Sequence, residues 1–172
     1  MSEVYLGNPN LKKANTPIEF TEDQVLEFLK CKEDPVYFAQ NYVKIVSLDE
    51  GLVPFKPYDF QEKLINNFHE NRFNICKMPR QTGKSTTVVS YLLHYAVFND
   101  SVNIGILANK AATARELLGR LQTAYENLPK WMQQGIISWN KGSLELENGS
   151  KILAASTSAS AVRGMSFNIL FL

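Results

Sequence analysis

One stretch of the chain has residue types and spacing suited to holding phosphate: Pro79-Arg80-Gln81-Thr82-Gly83-Lys84-Ser85-Thr86. A glycine followed by lysine and a hydroxyl residue at the mouth of a helix brings several effects to one place. The glycine lets backbone come close to an anion. Unpaired amides and the positive end of the helix dipole then face that anion. In such an arrangement Lys84 reaches the β- and γ-phosphates of ATP and the Ser85 hydroxyl ligates magnesium. The loop departs from the general Gly-x-x-x-x-Gly-Lys-Ser pattern, because Met78 stands where the first glycine belongs. Arg80 lies inside the cradle instead. A guanidinium there can stabilise charge on a transferring phosphoryl group, and the plain alternative is a solvated loop charge. For the motif as a whole the plain alternative is an ordinary strand–loop–helix turn with a surface lysine.

That chemistry requires a strand feeding the loop and a helix leaving it. Asn74-Ile75-Cys76-Lys77-Met78 predicts the strand, and a helix is expected from Ser85 to about Phe98. Its Val88, Val89, Leu92, Leu93, Ala96 and Val97 make a wide apolar face that must pack on a sheet. Residues 102–107 predict the next strand. Ala114, Leu117, Leu118, Leu121, Ala124 and Leu128 then recur at helical spacing. Ile136 to Trp139 reads as a strand, and Leu144–Leu146 and Lys151–Ala154 flank Asn148-Gly149 as a hairpin. Phe167–Leu172 reads as a buried strand. Upstream, Thr21-Glu22-Asp23-Gln24 resembles a capping box opening a helix to about Lys32, Asp34-Pro35 starts a second helix, and a third follows Pro57 to about Asn71. The order implies an α/β fold with a doubly wound, mainly parallel sheet. Residues 1–17 are expected to form a polar arm, 18–57 a helical N-terminal segment and 58–172 the core.

The 172 residues suit about one domain. Apolar residues at 45% and charged residues at 20% are close to globular averages, so a sizeable core is expected. Cys31 and Cys76 are far apart and have no zinc-type spacing, which fits free thiols in a reducing compartment. The N-terminus lacks the pattern of a signal peptide, and no apolar run approaches the roughly 20 residues of a membrane span; a cytoplasmic place is expected. A net charge of +1 gives no electrostatic footprint for nucleic acid. His69 and His94 have no partners at ligand spacing and read as ordinary helix residues. Trp131 and Trp139 read as core or hairpin packing.

Pro79–Ser85 resembles the variant Walker A motif of phage large terminase subunits, the ATPases that pump DNA into procapsids. In that family the first glycine is commonly missing and Arg-Gln is usual, so Met78 agrees with the likeness. Asp34-Pro35-Val36-Tyr37-Phe38 and Phe55-Lys56-Pro57-Tyr58-Asp59-Phe60-Gln61 resemble the entry to the ATPase domain. Asn140-Lys141-Gly142-Ser143, Asn148-Gly149-Ser150 and Ala161-Val162-Arg163-Gly164-Met165-Ser166-Phe167 are similar to the segment before the Walker B strand. The likeness covers about residues 16–172 and is nearest to terminases of large contractile-tailed phages.

The resemblance implies a P-loop NTPase fold, ATP and Mg as cofactors, and hydrolysis coupled to translocation of double-stranded DNA. It implies a portal protein and a small terminase subunit as partners, a homo-oligomeric ring on the portal, and the host cytoplasm as location. Gln61 is implied to recognise adenine. Its helix carries Phe60, Leu64, Ile65 and Phe68, so the partly buried amide must bond either a ligand or nearby backbone. Tyr58 packs near the base or in the core. Arg163 is implied to reach a neighbouring subunit's ATP, the alternative being a loop arginine on backbone carbonyls. The resemblance also implies that the chain stops where the Walker B acid would follow Ile169–Leu172. A fragment of that kind is expected to bind ATP weakly, to hydrolyse it poorly, and to leave a gap at the centre of its sheet. Other readings are a helicase-like DNA-dependent ATPase and a nucleotide-binding module without turnover; a small-molecule kinase fits less well, for want of a lid or acceptor pocket.

Overall fold

The computed structural model describes residues 3–47, 49–157 and 164–172. Helix α1 (Glu22–Glu33) opens on the expected capping box. Thr21 Oγ1 accepts from the Gln24 amide at 3.2 Å, and Gln24 Oε1 accepts from the Thr21 amide at 3.1 Å. Asp34 ends α1 and starts α2 (Pro35–Tyr42), its Oδ1 accepting from the amides of Val36 and Tyr37. Pro35 at the first helical position gives up no needed donor. A two-stranded antiparallel hairpin follows, β1 (Lys44–Ser47) and β2 (Gly51–Pro54), in a segment expected to be helical. Next come α3 (Asp59–Glu70), α4 (Lys84–Phe98), β3 (Asn103–Ala108) and α5 (Ala111–Glu126). The chain then forms β4 (Ile136–Trp139), β5 (Ser143–Leu146), β6 (Lys151–Ser156) and β7 (Ile169–Phe171).

The main sheet has the order β4-β5-β6-β3-β7. It is mixed, which corrects the expectation of a mainly parallel sheet. β3 pairs in parallel with β6 and β7, but the Asn148-Gly149 turn folds β5 antiparallel onto β6, and β4 pairs antiparallel with β5. Helix α5 lies along β3 and β6, and α4 packs on α5, α3 and α2. Helix α4 is buried nearly all round from Thr87 to Phe98, so it is the central pillar of the core. The 148–150 hairpin fixes its far end. Asn148 Nδ2 donates to the carbonyls of Ala96 and Asn99, and Ser150 Oγ donates to the Asn99 carbonyl at 2.8 Å. Carbonyls that a helix end leaves unpaired are thereby satisfied.

Two sequence expectations need correction at the other side of the sheet. Asn74–Met78 forms no strand: it runs without a ladder partner, with Phe73 and Ile75 exposed. Strand β7 is not buried either, since Leu170 is 49% exposed. The two observations have one cause. β7 uses only its β3 edge, and a cavity of about 360 Å³, touched by Asn74 on one side and Asn168 to Phe171 on the other, occupies the place of a neighbour. At the opposite edge the N-terminal arm folds down. Ile136 donates to the Lys12 carbonyl at 2.9 Å, and Leu11 is buried in the core.

Candidate phosphate-binding site

Helix α4 starts directly out of the Arg80–Gly83 loop. Its N-cap is Gly83, in a left-handed conformation with φ +73 and no side-chain cap. First-turn amides with no side-chain cap are available to an anion. Gln81 also has positive φ, at 61, so the loop turns twice in left-handed backbone that L residues rarely adopt. Thr82 Oγ1 ties the turn by donating to the Pro79 carbonyl at 3.1 Å. Lys84 Nζ folds back over the loop and donates to the carbonyls of Met78 and Pro79. The ammonium thus lies on the loop itself, held by neutral acceptors that phosphate oxygens outcompete by charge. Ser85 and Thr86 are half-buried on the first turn, and Arg80 and Gln81 are exposed. Arg80 takes part in none of the ion pairs among the described residues.

Gln61 is 3% exposed, and its amide bonds backbone on both sides. Oε1 accepts from the Tyr58 amide at 2.9 Å, and Nε2 donates to the Thr82 carbonyl at 3.3 Å. The start of α3 is therefore tied to the phosphate loop. Each of these atoms keeps one further hydrogen-bonding position, since an amide oxygen accepts two bonds and its nitrogen donates two. Beside this link lies a cavity of about 520 Å³, walled by the β1–β2 hairpin, the start of α3 and the loop. Tyr58 is on its lining and is 70% exposed, so it is no core residue.

Ser85, half-buried on the first turn of α4, is the residue whose hydroxyl the sequence pattern assigns to magnesium. Magnesium completes its coordination with waters, substrate phosphates and one or two carboxylates. Among the described residues no group of three or more His, Cys, Asp or Glu is placed to hold a metal. Arg163 lies outside the described residues. His94 is buried, with Nε2 on the Cys31 carbonyl at 2.8 Å, and its desolvation pushes the pKa down to about 4. It is a core residue of α4. Trp131 and Trp139 pack on the core. Both cysteines are free. Among the described residues no helix is long and apolar enough to cross a membrane.

The β1–β2 hairpin is the part of the site that sequence reasoning missed. Its signal was short: Ile45 and Val53 alternate with polar or exposed neighbours around Gly51, over only four residues per strand.

Residues 75–172 match the family model described as terminase large subunit, T4likevirus-type, N-terminal. Among solved structures, the chain is similar to the large terminase of bacteriophage HK97, with a TM-score of 0.65 and 18% sequence identity. The match covers 81% of this chain and 30% of that one. At such identity the likeness speaks for the fold, and the chain spans less than a third of that protein's length.

Proposed function

Because the chain belongs to the large terminase subunits of the T4-like type, in their N-terminal part, we propose that it is the nucleotide-binding portion of a DNA-packaging ATPase. In this reading it has a P-loop NTPase fold and binds ATP with Mg. The observation that carries the reading is the start of α4: a left-handed glycine N-cap with no side-chain cap, followed at once by Lys84 and Ser85. Lys84 moves from the Met78 and Pro79 carbonyls onto the β- and γ-phosphates. Amides of residues 82–86 cradle the phosphates, Ser85 offers its hydroxyl to magnesium, and Arg80 stands at the rim where phosphoryl charge develops. Gln61 turns its remaining acceptor and donor to the adenine edge, a pairing that an amide makes with the N6 and N7 positions.

Within the whole protein, ATP hydrolysis would drive movement of double-stranded DNA. The portal, the small terminase subunit and copies of the same subunit arranged as a ring would be the partners, in the host cytoplasm. Arg163 is assigned here to a neighbouring subunit's nucleotide. Turnover needs an acid beside the metal and a glutamate that activates water. The bare edge of β7 and the unpaired 73–78 segment support a sheet completed by one further strand between them, which would make it a full NTPase sheet.

The test is a titration of Mg-ATP against the chain and its Lys84→Ala variant, with circular dichroism as a control on folding. Binding is expected to weaken by tenfold or more with an unchanged spectrum. Equal affinity in both would overturn the assignment.

A further inference from the structure

We propose that the outward face of helix α1 is a self-docking surface, on which Val25, Leu26 and Leu29 of two copies of this chain pack antiparallel about a two-fold axis. The proposal is independent of the phosphate-loop reading, because no residue of that loop takes part.

Helix α1 is apolar on two sides. Cys31 and Phe28 face inward: Cys31 is fully buried, and the Phe28 ring packs against that of Phe98 with centroids 4.8 Å apart. Val25, Leu26 and Leu29 face the other way and are 44%, 66% and 50% exposed. A surface helix ordinarily shows one apolar stripe to its core and polar residues elsewhere. Single exposed apolar residues need no explanation, but these three, at i, i+1 and i+4, share one arc of the helix. Charges stand at both ends of the stripe. Glu22 and Asp23 are in the first turn and Lys30 and Lys32 in the last, all of them exposed. An apolar patch rimmed in this way marks a site of association.

The charges choose the occupant. This distribution complements the helix's own dipole, and it also makes α1 complementary to a second α1 that runs in the opposite direction. One register meets both needs. With the two-fold axis level with Glu27, Val25 stands opposite Leu29 of the second copy, and Glu22 stands opposite its Lys32. Symmetry repeats each pair. Lys30, whose ammonium lies 3.7 Å from the centre of the Tyr37 ring, stays at the margin, and Glu33 falls opposite Thr21 rather than a carboxylate. A parallel copy would set acid beside acid and lysine beside lysine, which opposes docking. The two-fold contact is isologous and closes on itself, so it differs from the head-to-tail contacts of a ring. One helix pair buries less than the roughly 1,200 Å² of stable complexes, so the dimer should be weak, with a Kd on the order of 100 μM.

The experiment is sedimentation velocity of the chain at low salt, over a concentration series that spans this Kd, with circular dichroism as a control on folding. The chain is expected to associate to a dimer and no further. Leu26→Gln combined with Leu29→Gln keeps good helix formers on an exposed face and is expected to weaken the dimer by about tenfold or more. Glu22→Lys and Lys32→Glu, each alone, should weaken it by about fivefold, since each removes both symmetric ion pairs. An equimolar mixture of those two variants should recover the parent association, because every lysine of one chain then meets an acid of the other. A chain that stays monomeric throughout, association that continues past a dimer, or a dimer indifferent to the paired glutamine substitutions would each overturn the proposal. So would a mixture that associates no more tightly than its components.

Discussion

The amide nitrogen of Gln61 stands where a side chain on residue 83 would begin: a Cβ added to Gly83 would come within 2.4 Å of it. The φ of +73 at that position already favours glycine. Gly83→Ala therefore carries two penalties, the strained backbone and the displacement of Gln61 from Tyr58 and Thr82. Together these should destabilise the chain by about 2–3 kcal/mol and abolish nucleotide binding. Adding Gln61→Ala to that variant should restore part of the stability by making room, without restoring binding. Urea unfolding of the single and double variants measures the coupling; strictly additive effects would contradict it.

The extended segment 73–78 should behave as the least protected backbone between α3 and α4. It has no ladder partner, whereas β3 is paired on both edges. Amide hydrogen exchange in the chain by itself should be fast at 73–78 and slow at Ile104 and Ile106, since protection follows local hydrogen bonding and burial. Slow exchange at Ile75 and Cys76 would mean that this segment is already paired in solution.

Much of this architecture was legible because local chemistry specifies it. Thr21 with Gln24, Asp34 with Pro35, and Asn148 with Gly149 each mark a boundary by their own hydrogen bonds or backbone preference, and the elements begin or turn where they stand. Lys84 and Ser85 were placed on a helix start for the same reason. What sequence could not supply was pairing. Asn74–Met78 has the apolar content of a strand but no edge within reach, and composition does not record whether a partner is present. Gln61 shows the same limit: the helix pattern gave its burial, but its two backbone partners come from residues 58 and 82, on different sides of the loop.

Glu147 fastens the N-terminal arm to the sheet. Its carboxylate takes Lys12 Nζ at 2.8 Å, the Gly135 amide at 2.7 Å and the Asn15 amide at 2.8 Å. Burial works to raise its pKa, but these three partners outweigh burial and hold it below the ordinary value. Glu147→Ala leaves the buried Lys12 without its counter-ion, and should cost about 2–3 kcal/mol. It should also release the arm, so that limited trypsin cleaves at Lys12 and Lys13 before any core site. Unchanged cleavage order would show that Leu11 in the core and the Ile136–Lys12 backbone bond hold the arm without Glu147.

Acid should weaken this fold earlier than its carboxylates require, and His94 is the reason. Its ring is enclosed by Phe38, Tyr91 and Phe98, with Nε2 on the Cys31 carbonyl and Nδ1 buried without a partner. Desolvation dominates, with a smaller push from His69, and lowers the folded imidazole from its ordinary 6.5 to about 4. Between those values the unfolded chain binds the proton and the folded chain does not. Stability from this group is therefore complete above about pH 6.5 and is lost as pH falls toward 4. The loss is on the order of 3 kcal/mol over that window. Glu147, whose folded pKa lies below 4.5, contributes its own loss only at lower pH. The two windows can be separated. His94→Gln keeps a donor for the Cys31 carbonyl but cannot titrate, so its urea midpoint should stay flat from pH 7 to 5 while that of the parent chain falls. A parent midpoint that is equally flat would mean that the imidazole is reached by water or protonated within the fold, and the buried neutral ring would have to be abandoned.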